Sequence, residues 1–330
     1  MEETSNSSTG KRLAVVTGGN KGIGLEICRQ LASNGIAVIL TARDEKKGIE
    51  AIDNLKVSGL SDVFFHQLDV KDPASIASFA KYVQTRFKKL DILVNNAGIG
   101  DSVVDREALR GFKEEWGIVN NAGIGGVIVT DYEALRVFIE GGGIVSNENA
   151  HLLEKFMKQT YERAEECIKT NYCGTKEVTE AILPLLQLSN SARIVNVSSL
   201  VGQLRFISNE KVKEDLQNVD SLTEDKIDKI LQWFLQDFKE NKLQANGWPL
   251  IAPAYRLSKA AINAYTRLVA RKFPDFRVNC VHPGYVKTDM TGNMGNLTPD
   301  EGARGPVMLA LLADNSPSGF YYDQMHASTF

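Results

Sequence analysis

Tyr255 and Lys259 are the residues of this 330-residue chain whose types and spacing most directly suggest acid–base chemistry. They stand four positions apart, so on a helix their side chains share one face, with Cβ atoms about 5–6 Å apart. A free tyrosine has a pKa of about 10 and is a poor acid at neutral pH. A nearby ammonium favours the phenolate and lowers that pKa, which predicts a tyrosine able to act as a general acid or base. The spacing alone is common by chance.

A glycine-rich segment from Thr17 to Gly24 lies between a predicted strand and a predicted helix. Gly18, Gly22 and Gly24 permit a tight turn and a close approach of the backbone to a pyrophosphate. The helix that follows would offer free N–H groups and the positive end of its dipole to the phosphates. Glycines alone are weak support, but in this position they predict a dinucleotide site.

Arg43 follows the second predicted strand, nineteen residues after Gly24. Proteins that bind NAD usually have an acid in this region for the ribose 2′-hydroxyl, whereas an arginine suits a 2′-phosphate. Lys21 in the glycine turn adds a second cation. Asp44 leaves two alternatives open, since it could pair with Arg43 or contact the ribose itself. We therefore predict NADPH as the cofactor.

Seven apolar segments are predicted to be strands, and helical patterns such as residues 21–33 and 73–88 lie between them. Strands alternating with helices predict right-handed crossovers and a parallel sheet with helices on both faces. The expected fold is a doubly wound α/β sheet of seven strands. These strands are Leu13–Thr17, Ile36–Thr41, Val63–Gln67, Leu90–Asn95, Arg193–Ser198, Phe276–Val281 and Gly319–Tyr322.

A near-repeat interrupts this alternation around residues 95–145. The segment Val94–Gly100 recurs as Val119–Gly125, which indicates a local tandem duplication or an error in joining the coding segments. The first copy follows the better strand, so we expect it to border the cofactor. The residues after the second copy favour the opposite assignment, and the extra residues could lower activity.

A second interruption is the insertion of residues 203–249. The apolar residues from Ile227 to Phe238 follow helical spacing, and Thr223 can cap that helix. Such a helix packs into the core or forms a binding surface. Together with Trp248, its residues Ile227, Phe234 and Phe238 are candidates for an apolar wall beside Tyr255.

Composition and charge narrow the classes of protein. The net charge of −3 argues against a nucleic-acid binder, and no apolar run approaches the length of a membrane span. Four cysteines without a Cys-x-x-Cys pair indicate reduced thiols, and the four histidines show no metal spacing. We expect a cytoplasmic, metal-free protein with a flexible tail over residues 1–10 and one domain over 11–330.

Six motifs occur in an order that resembles the short-chain dehydrogenase/reductase family. Within it, the chain is similar to the plant carbonyl-reductase-like branch of menthone (neomenthol-forming) reductases and salutaridine reductase. The insertion before Asn246 and the segment Glu166–Tyr172 carry the second likeness. The motifs are Thr17–Gly24, Leu68–Asp69–Val70, Asn95–Asn96–Ala97–Gly98, Val197–Ser198–Ser199, Tyr255–Lys259 and Pro283–Thr288.

The resemblance implies a Rossmann-type fold and assigns roles to individual residues. Tyr255 would donate the proton, Lys259 would hold the nicotinamide ribose, and Ser199 would hold the substrate oxygen, although Ser198 is chemically equivalent. Asn171 would hold a water that links Lys259 to solvent. The implied cofactor contacts are Gly18, Asn20, Lys21, Gly22, Ile23, Gly24, Arg43, Asp69, Val70, Asn95, Ala97, Gly98, Tyr255, Lys259, Pro283, Gly284, Val286 and Thr288.

The expected activity is the NADPH-dependent reduction of a ketone to a secondary alcohol on a bulky apolar substrate, such as a monoterpenoid or alkaloid. Two alternatives stay open: an NADPH-binding protein with little turnover, and a reductase of conjugated carbon–carbon double bonds. Related enzymes pair through helices beside the active site, and residues 203–249 should cover that surface. We therefore expect a monomer.

Overall fold

The computed structural model describes residues 11–100, 160–249, 252–293 and 295–330, together with the backbone of two short strands between the first two ranges. The predicted tail and the second copy of the repeat, residues 119–125, lie outside the described residues. The two short strands, β5 (Ile128–Val129) and β6 (Met157–Lys158), pair with each other in antiparallel fashion.

The main sheet has eight strands in the order β10-β9-β8-β7-β4-β1-β2-β3. All neighbours are parallel except β9 and β10, so the prediction of a mostly parallel, doubly wound sheet is confirmed, whereas the predicted count of seven is wrong. The strand that was missed, β10, is three exposed residues long and has no apolar pattern. The strands are β1 (Leu13–Val16), β2 (Ala37–Ala42), β3 (Val63–Gln67), β4 (Ile92–Asn95), β7 (Arg193–Val197), β8 (Arg277–His282), β9 (Tyr321–Asp323) and β10 (His326–Ser328).

Helices cover both faces of the sheet. One face carries α1 (Gly22–Ser33), α2 (Glu45–Val57) and α9 (Pro299–Ala310). The other carries α3 (Pro73–Arg86), α4 (Tyr161–Ile168), α5 (Gly174–Leu186) and α8 (Pro253–Lys272), with α6 (Glu210–Gln217) and α7 (Glu224–Lys239) packed against helices of this layer. Side chains cap most of these helices, as where Asp72 accepts from the amide of Ala74 and is followed by proline at the first position of α3.

The strands are apolar without alternation because both of their faces are buried. In β1, Leu13 and Val15 point into the core on the α3 side, while Ala14 and Val16 point into the core on the α1 side. A strand of a parallel sheet that is covered on both faces has this pattern. The rigid double layer fixes the carboxyl ends of the strands, from which the site residues project.

The insertion forms α6, which packs against α8, and α7, which packs against α4 and α8. Ile227 and Phe234 are fully buried in this layer, so their expected place in a substrate wall is wrong: they belong to the core. Asp237 accepts from the indole Nε1 of Trp248 at 2.7 Å, which fixes the end of the insertion. The apolar face of α7 therefore packs inward within one chain, while the monomeric state stays a prediction. Among the described residues, no helix is long and apolar enough to span a membrane.

Candidate active site

The strand order reverses between β1 and β4, and the loops after these two strands face each other at the carboxyl edge of the sheet. Ligands of open α/β sheets bind in such a crevice. Gly18 and Gly22 have φ of +64° and +55°, values that side-chain-bearing residues rarely adopt. A Cβ on Gly24 would lie 2.2 Å from the carbonyl oxygen of Gly18, so only glycine fits where the turn meets α1.

The start of α1 fits the phosphates of a dinucleotide. Its N-cap, Lys21, makes no side-chain cap hydrogen bond, so the first N–H groups of the helix are available to an anion. The partly buried Asn20 lies in the same turn. Ile23 packs near the position that a Cβ on Gly302 would take, beside Val286. The glycine turn, α9 and the loop after β8 therefore form one wall of the crevice.

The loop after β8 carries four more of the predicted cofactor contacts. Pro283 and Gly284 follow the strand directly, and Gly284 has φ of +89°. Thr288 caps a short turn with Thr291, and its methyl group would lie 3.3 Å from a Cβ on Gly22. The structure thus brings this loop against the glycine turn. His282 just before it is largely buried, and burial lowers its pKa, as expected of a neutral packed histidine.

The first copy of the repeat lines the crevice between the ends of β1 and β4. The backbone amides of Asn96 and Ala97 both donate to the Thr17 hydroxyl at 3.0 Å, which fastens this loop to the end of β1. Asn95 is buried and donates to Thr179 and to Asn196. These contacts place the first copy at the carboxyl end of β1 and β4, and its role in cofactor binding stays a prediction.

At Gly98 the same loop lies close to the side chains of Asn171 and Lys259. A Cβ at this position would lie 3.2 Å from Oδ1 of Asn171 and 3.4 Å from Nζ of Lys259.

Helix α8 presents Tyr255 and Lys259 one turn apart. It begins at Pro253, after Ala252 in the left-handed conformation. Proline suits the first position of a helix because its fixed φ is helical and the N–H that it lacks would have no partner within the helix. Lys259 is buried, and its Nζ donates to the carbonyl of Val197 at 2.9 Å. The ammonium lies 5.7 Å from the centre of the partly buried Tyr255 ring. Burial lowers the pKa of Lys259 to about 8.

Ser198 and Ser199 differ sharply in their surroundings, which the sequence did not reveal. The Ser198 hydroxyl is buried and hydrogen-bonded to Oδ1 of Asn263 at 2.5 Å. Ser199 is partly exposed in extended backbone before a short 3-10 turn, and its carbonyl accepts from Tyr321. The Ser198 hydroxyl is thus committed to a contact in the core, and the partial exposure of Ser199 favours it as the serine of the site.

Asn171 lies in a π-helical turn, Lys169–Cys173, between α4 and α5. Its side chain is fully buried and exchanges two hydrogen bonds with the backbone of Ile99, at 2.8 and 2.9 Å. A further bond runs from its Nδ2 to the hydroxyl of Ser258 at 3.0 Å. Protein groups therefore occupy the Asn171 side-chain amide, and its predicted water-holding role stays a prediction.

The predicted adenosine end lies past β2 and β3. Arg43 is exposed beside an open cleft of about 610 Å³ that Asp69 also lines, and Val70 is buried next to it. Asp44 caps α2 by accepting from the amide of Lys47, a structural task that the sequence did not indicate. Hydrogen bonding to that amide lowers the pKa of Asp44.

Two cations near the crevice have partners that the sequence did not indicate. Lys21 pairs with Asp289 at 2.6 Å, in the loop after β8, whereas Arg43 follows β2 on the other side of β1. The structure thus does not join Lys21 to Arg43. Lys71 pairs with Glu166 of α4 at 2.8 Å, and this hydrogen bond, with the charge of Arg43, lowers the pKa of Glu166. Such long-range partners leave no local signal in a sequence.

Comparison with known proteins was consistent with this geometry. A sequence profile described as short chain dehydrogenase matches residues 12–145 and 124–211, and one described as Enoyl-(Acyl carrier protein) reductase matches residues 243–305. The first two matches overlap within the repeat region. Within the part of the chain that the structure describes, no group of three or more acidic, histidine or cysteine side chains is arranged to hold a metal.

Three relatives illustrate the similarity. Salutaridine reductase of Papaver somniferum is 49% identical over the full length of both chains, and its solved structure superposes with a TM-score of 0.82 at 94% coverage of this chain and 99% of that one. (+)-Neomenthol dehydrogenase of Capsicum annuum is 47% identical over 98% of this chain and 99% of its own. Carbonyl reductase [NADPH] 1 of Homo sapiens is 32% identical, with 92% of each chain covered. The chain is an oxidoreductase with a site for a nicotinamide cofactor, and it belongs to the short-chain dehydrogenase/reductase family.

Proposed function

We propose that this protein catalyses the NADPH-dependent reduction of a ketone to a secondary alcohol on a bulky, mostly apolar substrate. The observation that carries the proposal is the convergence of Tyr255, Lys259 and the end of β7 at Ser199. The backbone of Val197, two residues before Ser199, accepts from the Lys259 ammonium, so the serine and the tyrosine–lysine pair are fixed relative to one another.

The bound nicotinamide would supply a hydride to the carbonyl carbon, and negative charge would then develop on the carbonyl oxygen. Donors that are already aimed at this oxygen stabilise the charge without reorganising. Ser199 would hold the oxygen, and Tyr255 would give it a proton. Lys259, close to the Tyr255 ring, would favour release of that proton because its positive charge stabilises the phenolate.

Glycine-turn and loop residues would hold the cofactor in this scheme. Gly18, Gly22 and Gly24 would receive the pyrophosphate at the start of α1, and Thr288 with Val286 would line the nicotinamide side. Arg43, exposed at the predicted adenosine end, would pair with the 2′-phosphate and so favour NADPH over NADH. A relative whose name specifies NADPH supports this choice.

The substrate class rests on the relatives. Two of them are named for salutaridine and for neomenthol, and they match this chain over nearly its whole length. We extend their class to this protein: a bulky ketone of monoterpenoid or alkaloid kind.

The direct experiment measures NADPH oxidation by the purified protein with three kinds of ketone: menthone-like ketones, a morphinan-type dienone and small polar keto acids. We expect the highest kcat/KM with one of the bulky ketones and a secondary alcohol as the product. Tyr255→Phe, which removes only the hydroxyl, should bind NADPH normally and lose about 10²–10⁴-fold in kcat. A preference for the polar keto acids, or a near-normal kcat in the variant, would overturn the proposal.

Reduction of a conjugated carbon–carbon double bond is a second candidate because the profile over residues 243–305 is described as that of an enoyl reductase. An enone substrate separates the two reactions, since the product is an allylic alcohol in one case and a saturated ketone in the other. The third possibility, cofactor binding with little turnover, predicts NADPH binding without oxidation in a single-turnover experiment with every ketone.

A further inference from the structure

Ser258, immediately before Lys259, lies at the centre of a fully buried polar cluster. Cys167 of α4, Asn171 of the π-helical turn and Ser258 of α8 each have no exposed surface. The backbone of Ile99, at the end of the first repeat copy, completes the cluster. Four segments that are distant in sequence therefore meet around one hydroxyl group.

The hydrogen bonds of this cluster lead from the cofactor loop to the turn that carries Tyr255. Nδ2 of Asn171 donates to the carbonyl of Ile99 at 2.9 Å and to the hydroxyl of Ser258 at 3.0 Å. The Ser258 hydroxyl donates in turn to the carbonyl of Tyr255 at 2.8 Å. The sulfur of Cys167 is 3.3 Å from Asn171 Nδ2 and 3.9 Å from the Ser258 oxygen.

We propose that Ser258 is a positioning residue for the reaction, holding Asn171 and the Tyr255 turn of α8 in register with the cofactor loop. The inference rests on the proposed function, in which Tyr255 donates the proton. A serine hydroxyl suits this place because it accepts from the amide and donates to the carbonyl at the same time. Alanine would leave the buried Asn171 Nδ2 without this acceptor, and the amide would be free to shift towards another partner.

A shift of the Asn171 amide would disturb the groups around Lys259. Oδ1 of Asn171 and Nζ of Lys259 both crowd the position above Gly98, at 3.2 and 3.4 Å from a Cβ built there. Displacement of the amide therefore moves groups next to the ammonium that supports Tyr255. Misplacement of a catalytic group by about 1 Å can cost roughly 100-fold in rate.

The same helix supplies a matched control in Thr266, about two turns further on. Its hydroxyl donates to the carbonyl of Ile262 at 2.8 Å and accepts from Nδ2 of Asn196 at 2.8 Å. Thr266 is also fully buried. It thus has the hydrogen-bonding pattern of Ser258, including the asparagine donor and the helical carbonyl acceptor, but its hydrogen bonds run to Asn196 and Ile262 instead of to Asn171 and Tyr255.

The test compares Ser258→Ala and Thr266→Val with the parent protein in ketone reduction and in thermal unfolding. Both variants should lose stability, since each removes a buried acceptor. Only Ser258→Ala should lower kcat, by roughly 10- to 100-fold, while its KM for NADPH stays within about three-fold. Its pH profile of kcat should also move to higher pH. The Lys259 ammonium is then less well placed to stabilise the phenolate, so the pKa of Tyr255 rises.

Equal kcat values and pH profiles in the two variants, once corrected for the folded fraction, would mean that Ser258 is merely structural and would overturn the inference. If Ser258→Ala does not fold, Ser258→Cys keeps the volume with a weaker hydrogen-bonding group and should show the same changes in smaller degree. A parent protein that reduces no ketone would instead contradict the proposed function.

Discussion

The ammonium of Lys259 lies 5.7 Å from the centre of the Tyr255 ring, yet it donates its hydrogen bond to the carbonyl of Val197. The lysine therefore acts on the tyrosine by its charge and is held in place by the end of β7. Burial lowers its pKa to about 8, so the ammonium is charged at neutral pH at a cost in folding free energy.

Removing the buried ammonium should raise the free energy of unfolding and lower the activity. The folded pKa of Lys259, about 8, is below its ordinary value of 10.5, so the unfolded chain binds the proton more tightly. Below pH 8 this cost is fully present, and it disappears as the pH rises from about 8 to the ordinary value of 10.5. We expect Lys259→Met to gain about 1–3 kcal/mol in the free energy of unfolding at pH 7 and to lose most of its kcat.

Urea unfolding of both proteins at pH 7 and pH 10 checks the Lys259 prediction, because the gain should shrink at the higher pH. A variant that is less stable than the parent protein at pH 7 would show that packing of the lysine stem outweighs the cost of its buried charge.

The two neighbouring serines should give opposite results. Ser199→Ala removes a partly exposed hydroxyl, so we expect kcat to fall about 10²–10³-fold, as for the loss of one donor to a developing oxyanion, with little change in stability. Ser198→Ala leaves the buried Oδ1 of Asn263 without this donor and should cost about 1–3 kcal/mol of unfolding free energy. Rate and melting measurements on both variants decide the assignment. Loss of kcat only in Ser198→Ala would reverse it.

Much of the fold was predictable because its signals are local. Apolar runs between Leu13 and Val281 marked the parallel strands, and glycines marked the turn before α1. The eighth strand escaped because three exposed residues after Tyr322 show no pattern and pair only through their backbone. The spacing of Ile227 and Phe234 predicted a buried helical face, but periodicity does not say what that face contacts.

The site was predictable only as a set of residue types. Motif residues such as Tyr255, Ser199 and Asn171 converge at one edge of the sheet. Which serine is hydrogen-bonded in the core depends on Asn263, which is 65 positions from Ser198 in the sequence. The partner of Lys21 is still more remote, since Asp289 is 268 positions away. Such tertiary contacts depend on the packing of α8 and the loop after β8, which no local pattern encodes.

The cofactor preference should depend on Arg43. A hydrogen bond to a charged group contributes about 1.5–3 kcal/mol, so Arg43→Ala should lower kcat/KM for NADPH roughly 10- to 150-fold and leave that for NADH nearly unchanged. Arg29→Ala is the control, since Arg29 pairs with Glu26 and Asp300 on α1 and α9. Steady-state kinetics with both cofactors provide the measurement. An unchanged preference in Arg43→Ala would remove this residue from the 2′-phosphate site.

The two copies of the repeat can be compared by one pair of substitutions. A Cβ on Gly98 would press on Asn171 and Lys259, so Gly98→Ala should lower kcat about ten-fold by displacing them. Gly123→Ala makes the same change in the second copy and should leave kcat unaltered if the first copy borders the cofactor. The reverse outcome, with activity lost only in Gly123→Ala, would assign the site to the second copy.

Deletion of residues 96–120 should yield a folded, active protein, because it restores a single turn. The deletion joins Asn95 to Asn121, and the segment that follows has the same sequence, Asn-Ala-Gly-Ile-Gly, as the one removed. The contacts that Asn96 and Ala97 make to Thr17 can then be made by identical residues. Long irregular connections are uncommon in compact domains, and each ordered residue costs about 1–2 kcal/mol of conformational entropy.

We therefore expect the melting temperature of the shortened protein to equal or exceed that of the full chain, with NADPH affinity and kcat at least as high. Thermal unfolding with and without NADPH measures both properties on one sample, because a ligand that binds only the folded state raises its stability. A shortened protein that folds and yet fails to bind NADPH would mean that the extra residues contribute to the cofactor site. One that does not fold would mean that they are part of the core structure, and either result would contradict a dispensable duplication.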